Sequence, residues 1–387
     1  MKRMLMLASV ASMIDQFNMP NIELLQEMGY EVHVACNFEK GSTCTDEKVL
    51  ELKKKLKQLH VRFFQIDFER NVMKLNQDLK AYKQVLKLAR KYHYTFIHCH
   101  SPIGGVVGRL VGHKTNTKVI YTAHGFHFYE GAPLLNWLIY YPIEKLLSRF
   151  TDVLITINQE DYHRAKSKFH AKRVEYVPGV GIDIKRFQNV KVDILQKRKE
   201  LGIRSKDIVL LSVGELNKNK NHEIVIKALS GLDRPDVKYL LVGQGELKNY
   251  LKNLARKLEV EDQVKFLGFR SDVAEIYKIA DAFIFPSKRE GLGLAAIEAM
   301  ASGLPLITSN IHGIKDYSKE NITGFLCDAN DWKTWKVKIE KILKEEKARK
   351  EFGKNNIEIA SQYDVKKISS IMHKIYFSVN AEEISND

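Results

Sequence analysis

Residues 282–308, AFIFPSKREGLGLAAIEAMASGLPLIT, constrain the fold more than any other stretch. Ala282 to Phe285 are apolar without a polar face, which predicts a strand buried on both sides, as in a parallel sheet. Pro286 ends it. Gly291 and Gly293 allow a tight turn and close approach of backbone to a ligand. Leu294 to Ala301 are good helix formers, stopped by Gly303 and Pro305. The stretch therefore reads strand, turn, helix, strand. At the turn, the helix N-terminus offers unsatisfied N–H groups and partial positive charge, where a phosphate can sit. Glu290 and Glu298 bracket that point, and carboxylates beside an anion site make sense if they hold hydroxyls such as those of a sugar.

The same rhythm runs through the chain. Apolar runs at 3–8, 30–36, 61–66, 95–100, 118–122, 152–156 and 174–177 predict the strands of a first half. Runs at 208–213, 237–242, 264–267, 282–285 and 306–308 predict those of a second. Between them lie helical patterns such as 47–60 and 78–92, with apolar residues at three- and four-residue spacing and lysines in between. Strand–helix alternation throughout predicts two doubly wound parallel domains facing each other. The polar stretch from 179 to 207 breaks the rhythm and marks the connection. The expected domains are residues 1–188 and 189–365, with a tail, 366–387, whose Ile368, Ile371, Met372, Ile375 and Tyr376 pack back on the first.

Length suits two cores: 387 residues. No run has the roughly 18 to 20 apolar residues of a membrane-spanning helix, and the start MKRMLMLASV is too short in apolar residues for a signal peptide. A cytoplasmic protein is expected. Cys36, Cys44, Cys99 and Cys327 form no CxxC pair, which argues against disulfides and structural zinc. His98 and His100 share one strand face with Cys99 on the other, a poor geometry for a metal cluster; no metal and no cofactor are expected. A net charge of +15 is concentrated early, with 28 Lys and Arg against 18 Asp and Glu over residues 1–190. Nucleic acid, anionic lipid or a merely solvated surface each account for such an excess. The lysines are not interleaved with aromatics as a base-stacking platform requires, so no nucleic-acid partner is expected. The segment LLNWLIYYPIEKLLSRF (134–150) reads either as an interfacial helix, with Trp137, Tyr140, Tyr141, Lys145 and Arg149, or as a core helix kinked at Pro142.

After the first strand, Ser9-Val10-Ala11-Ser12 stands where a dinucleotide-binding fold has GxGxxG, so a nicotinamide dehydrogenase is disfavoured. His124, beside Gly125 at the carboxyl end of the strand 118–122, lies where open α/β sheets bind ligands.

Embedded in FPSKREGLGLAAIEAMASGLPLI, the Glu290/Glu298 pair resembles the Glu-x7-Glu motif of the retaining glycosyltransferases of family 4, whose two Rossmann-like domains form the GT-B fold. Supporting matches are Val213-Gly214-Glu215-Leu216 with Lys220, Leu241-Val242-Gly243-Gln244-Gly245, Phe266-Leu267-Gly268-Phe269, Tyr176-Val177-Pro178-Gly179-Val180 and Thr122-Ala123-His124-Gly125. The string YTAHGFHFYEGAP is similar to enzymes of bacterial capsular and exopolysaccharide synthesis. The resemblance implies transfer of a hexose or N-acetylhexosamine, with retention, from a UDP-linked donor to a saccharide or polyprenyl-diphosphate-linked acceptor by an enzyme peripheral to the inner membrane face. It assigns Glu290 to donor-sugar hydroxyls, Glu298 to the ribose, and the N–H groups of Gly291, Leu292, Gly293 and Leu294 to the diphosphate. Lys220 would balance the diphosphate charge and His124 would meet the donor sugar. Gly214, Glu215, Gly243 and Phe269 would complete the donor site, and Ser9 and Ser12 would lie in a loop shaping the acceptor site. Many members have arginine where this chain has Glu215, and a carboxylate cannot neutralise a diphosphate. Lys220 then acts with N–H groups alone, or another cation substitutes. A non-hydrolysing sugar-nucleotide epimerase of the same fold is the alternative enzyme class, and a basic nucleic-acid-binding protein the non-enzyme one.

Overall fold

The computed structural model describes residues 2–40, 45–69 and 75–384; Cys44 and the last residues of the expected tail lie outside them. The chain divides into two compact units, Met1–Gly181 with Val365–Asp387, and Ile182–Asp364. The expected boundary at 188/189 falls inside the second unit, after the short helix Ile184–Gln188.

The first unit is built on seven parallel strands: β1 (Arg3–Val10), β2 (Glu31–Asn37), β3 (Arg62–Gln65), β4 (Phe96–His100), β5 (Lys118–Ala123), β6 (Val153–Thr156) and β7 (Arg173–Tyr176), in the order β3-β2-β1-β4-β5-β6-β7. β4 is buried along its whole length, β1 from Met4 to Ala8 and β5 from Val119 to Ala123, as strands covered on both faces are. One face packs the helices Met19–Glu27 and Asp46–Gln58 over Met4, Met6, Val32 and Val34, and the other buries Leu5, Leu7, Ile97 and Tyr121. The C-terminal helix Val365–Ile384 joins the first face through Ile368, Met372, Ile375, Tyr376 and Val379. Tyr376 stacks on Phe96, with ring centroids 5.8 Å apart, and its hydroxyl lies 2.9 Å from His98 Nδ1. Thr122 Oγ1 occupies the other ring nitrogen of His98 at 2.8 Å.

The second unit has six parallel strands: β8 (Ile208–Val213), β9 (Val237–Val242), β10 (Val264–Gly268), β11 (Ala282–Phe285), β12 (Leu306–Ser309) and β13 (Gly324–Cys327), in the order β10-β9-β8-β11-β12-β13. The strand β13 was not foreseen; its four residues follow a turn through Asn321, at φ 58°, and are too few to show a period.

In both sheets the chain first builds outward in one direction and then crosses back to build in the other. The reversal lies between β1 and β4 in the first unit and between β8 and β11 in the second. At such a switch point the connections leave to opposite faces, and a crevice opens at the carboxyl ends of the strands.

Burial holds His98 neutral, its pKa lowered to about 3 from an ordinary 6.5. A histidine whose folded value is depressed contributes stability above its unfolded pKa and loses it on acidification. The midpoint of urea unfolding should therefore fall as pH drops from 6.5 towards 4, and His98→Gln should flatten that dependence. Tyr376→Phe should cost about 1 kcal/mol through the lost hydrogen bond, and Tyr376→Ala about 3–5 kcal/mol through the added cavity, both read by urea denaturation at pH 7.5.

Candidate functional site

At the switch point of the second unit, two loops meet. One follows β8, from Gly214 to Asn221; the other follows β11, from Pro286 to Gly293. They are stitched together by hydrogen bonds: Lys288 N–H donates to Asn219 O at 2.8 Å and Asn219 Nδ2 to Arg289 O at 2.9 Å. Buried Asn221, in a left-handed conformation, donates to Pro286 O at 3.1 Å and Ala329 O at 2.8 Å. This lacing brings Lys220 Nζ to 2.6 Å from Glu290 Oε1. The same ammonium lies 5.0 Å from the centroid of the Phe285 ring, a second attraction that fixes its position. Of the two lysines in NKNKN, Lys220 is thus the one at Glu290. Lys218 instead lines a cleft of about 370 Å³ with His222, Tyr250 and Lys288.

The turn after Glu290 is held from behind. Gly313 N–H donates to Glu290 O at 3.2 Å. Gly293 has φ +92°, and a Cβ there would stand 2.6 Å from the Phe285 ring and 3.0 Å from Tyr317 Oη. Only glycine fits. Helical conformation begins at Leu294, so the amides of Leu294 and Ala295 have no partner within the helix Leu294–Ala301, while Ala296 N–H donates to Gly293 O at 3.0 Å. The side chain of Leu292 is buried, so what this residue can present to a ligand is its backbone.

Glu298, in the second turn of that helix, is half-buried. Burial pushes its carboxyl up to about 7, against a hydrogen bond from Tyr277, whose hydroxyl lies 3.1 Å from Glu298 Oε2 and 3.0 Å from Ala295 O. Gly243, at the end of β9, has φ +146°, and a Cβ would stand 1.8 Å from Gly214 O, so the two strand-end loops touch backbone to backbone. Glu215 is exposed. Phe269, next after β10, is 59% exposed.

In the first unit, the switch point joins the ends of β1 and β4. Ser9 N–H donates to Ser101 Oγ at 3.1 Å, and the two hydroxyls are 2.8 Å apart. Ser101 itself has φ +66°, an unfavourable value for a serine. The expected loop over Ser9–Met13 is absent: β1 runs to Val10, with an irregularity of register between Leu7 and Val10, and the helix Ala11–Phe17 starts at once. Without glycine to turn through positive φ, the chain passes straight from strand to helix, and Ser12 lies buried in the first turn.

His124 follows β5, with its Nε2 3.1 Å from His100 Nδ1. The His100 ring lies 4.2 Å from that of His98. Burial keeps His124 neutral, at about 4, and His100 well below its ordinary value. Among the described residues, His100 Nε2 meets no hydrogen-bond partner. A buried acceptor without a partner is tolerated better than a buried donor, so we assign the proton of His100 to Nδ1, donating to His124. His124 then carries its own proton on Nδ1, a donor at the sheet edge.

Among the described residues, no group of three or more His, Cys, Asp or Glu could hold a metal ion, and both nitrogens of His98 are engaged. Sequence reasoning missed Tyr277, Asn221, Gly313 and Tyr317. Asn221 ends the loop that carries Lys220, Tyr277 reaches in from the helix Val273–Ile279, and Gly313 and Tyr317 come from the turn His312–Asp316 and the residue after it. His100 was legible only as half of a histidine pair on one strand face.

The matches to known proteins cover both units. Residues 22–186 match the glycosyltransferase family 4 profile and residues 193–359 that of glycosyl transferases group 1. The chain is 35% identical to the Bacillus subtilis (strain 168) protein EpsD, which carries a glycosyltransferase name, over 97% of this chain and 96% of that one. It is 29% identical to the Escherichia coli UDP-Gal:alpha-D-GlcNAc-diphosphoundecaprenol alpha-1,3-galactosyltransferase, over 84% of this chain and 83% of that one. The fold is similar to that of Anabaena HepE in complex with UDP-glucose, with a TM-score of 0.78 at 21% identity, covering 98% of this chain and 100% of that one. These matches do not favour an epimerase, and the solved neighbours have the GT-B fold. The relatives include a Staphylococcus aureus capsular polysaccharide biosynthesis glycosyltransferase, 26% identical over 86% of this chain and 86% of that one; on the full-length match to EpsD and the two profiles, the chain belongs to the family 4 glycosyltransferases.

Proposed function

We propose that the protein transfers a hexose or N-acetylhexosamine, with retention, from a UDP-linked donor to a saccharide carried on a polyprenyl diphosphate. The observation that carries this reading is the Lys220–Glu290 pair at 2.6 Å beside the Gly293 turn. One ammonium, one carboxylate and a helix N-terminus meet at a switch point, which suits a diphosphate joined to a polyhydroxylated ring. Lys220 and the amides from Gly291 to Leu294 meet the charge that grows on the diphosphate as the sugar leaves, with no metal required. Glu290 accepts hydrogen bonds from sugar hydroxyls, and Glu298, backed by Tyr277, from the ribose. Gly214, Gly243 and the exposed Phe269 line the nucleotide side, while Glu215 points its charge to solvent. His124 donates its Nδ1 proton to a sugar hydroxyl, and the strand end at Ser9 belongs to the acceptor side, with Ser12 buried behind it. The donor of the galactosyltransferase relative is UDP-Gal and its acceptor a diphosphoundecaprenol saccharide, which supports UDP and a lipid-linked acceptor here. The protein acts at the cytoplasmic membrane face, its basic first unit towards anionic lipid.

The test is mass spectrometry, with NMR for configuration, of products from a panel of UDP-sugars with polyprenyl-diphosphate-linked saccharides. Transfer with retained anomeric configuration is expected; isomerised donor formed without acceptor would replace this reading by the epimerase. Glu290→Ala, Lys220→Ala and His124→Ala should each lower kcat at least about a hundredfold, the usual effect of losing a group that meets developing charge, while thermal melting shows folded protein. Glu298, with its carboxyl near 7, accepts hydroxyl protons well only when ionised. The Kd for UDP should therefore rise as pH falls from 8 to 6, and Glu298→Gln should bind more weakly at pH 8 and lose the slope.

A further inference from the structure

The helix Leu134–Leu147 wears its side chains the opposite way round from an ordinary surface helix. Its aromatic residues turn inward: Trp137 and Tyr141 pack on Phe128, with centroids at 5.7 and 5.3 Å, and Tyr140 stacks on His127 at 4.6 Å. Arg164 covers the Trp137 ring at 4.9 Å. The outward side is aliphatic. Leu134, Leu135, Leu138, Ile139, Ile143 and Leu146 are between 43% and 73% exposed, and they make up six of the eighteen exposed large hydrophobic residues of the described chain. At about 100° per residue they span one half of the helix circumference. The ridge they form is about 20 Å long at 1.5 Å per residue.

No negative charge interrupts this ridge. The one acid of the helix, Glu144, is buried against Arg109 at 2.7 Å, and Arg109 in turn lies 4.1 Å from the Tyr121 ring. Positive charge frames its end instead. Lys145 is half-buried and Arg149, in the turn Ser148–Phe150, is exposed. Arg149 also lines a cleft of about 470 Å³, together with His113, Lys118 and Lys172, in which Asp152 is the single acid. Such a cleft has the size and sign to take a phosphate headgroup.

We propose that this ridge is a membrane-docking element: it lies in the plane of an anionic lipid surface, with its leucines and isoleucines among the acyl chains and Lys145 and Arg149 at the headgroups. The proposal rests on the lipid-linked acceptor above and adds the face and the residues that meet the lipid. Two observations favour lipid over a second copy of the chain. The cores of protein–protein interfaces are enriched in aromatic residues and methionine, whereas here the aromatic residues are turned away. The excess of cations over residues 1–190, 28 against 18 acids, repels a like unit and attracts an anionic surface. Aliphatic side chains on one face with cations at its edge are what interfacial helices use.

The test measures co-sedimentation of the full-length protein with vesicles of phosphatidylglycerol and phosphatidylethanolamine, and with vesicles of phosphatidylcholine alone. The wild type should bind the anionic vesicles. Leu135→Glu with Leu138→Glu should lower partitioning at least about tenfold, since each such side chain loses several buried CH₂ groups. Leu195→Glu, at a leucine 69% exposed in the second unit, should leave partitioning unchanged. Lys145→Glu with Arg149→Glu should abolish the preference for anionic over neutral lipid. Both ridge positions are exposed, so melting temperatures should match the wild type. If the double ridge variant partitions like the wild type, the proposal is overturned. Light scattering that finds a lipid-free dimer broken by the double variant overturns it equally, in favour of a self-association surface. Transfer to an acceptor with a short, water-soluble lipid should survive in the ridge variant. Its absence in the wild type would instead indict the proposed reaction and leave the vesicle result standing.

Discussion

The reversal of winding direction, once in each sheet, is the constraint on which the rest depends. Parallel strands need long crossovers, and right-handed crossovers in opposite directions place their helices on opposite faces. The chain therefore leaves the two loops at the reversal towards opposite faces, and the loops themselves meet at the carboxyl edge of the sheet. In the second unit that edge receives the loops after β8 and β11, which carry Lys220 and Glu290. In the first it receives Ser9 and Ser101, with His100 at the end of β4. The chemistry is thus placed by topology, and side-chain hydrogen bonds only tune it.

The tuning works in two ways. In the second unit, Lys220 is held in place by a carboxylate and an aromatic face. In the first, burial strips charge from three histidines in sequence, His98, His100 and His124, so that a single unbroken line of neutral rings ends at the sheet edge. A neutral ring can orient a hydroxyl without binding it as an ion, which matters where a phosphate-bearing ligand already supplies the negative charge.

Much of this was legible because parallel strands must be apolar on both faces. The runs that end at Phe285, Val213 and Val242 are such strands, and the positions just after them are the site. The turn at Gly291 to Gly293 was visible because glycine and helix formers follow a strand directly. What escaped were partners brought in by tertiary packing. Tyr277 sits in a helix of seven residues whose sequence says only that one face is apolar, and its hydroxyl finds Glu298 across the unit. The inward turn of Trp137, Tyr140 and Tyr141 was open in the sequence because aromatics serve both a core and an interface. The ring of Phe128, itself fully buried, decided it. The first-unit loop was misjudged for the converse reason: a missing glycine was read as a different loop, when it removes the loop.

The helix Val365–Ile384 completes the core of the first unit only after the whole second unit has been traversed. The second unit is therefore an insertion within the first, and the chain crosses between them twice. On the ribosome, where domains fold as units while the chain emerges, the amino-terminal sheet must wait with Phe96 lacking the Tyr376 ring that stacks on it until the helix Val365–Ile384 is released. The unit that starts later in the sequence is complete first. Release of that helix, rather than emergence of the strands, is then the event that closes the first unit, and a ribosome stalled in the second would hold an unfinished apolar sheet that chaperones can recognise.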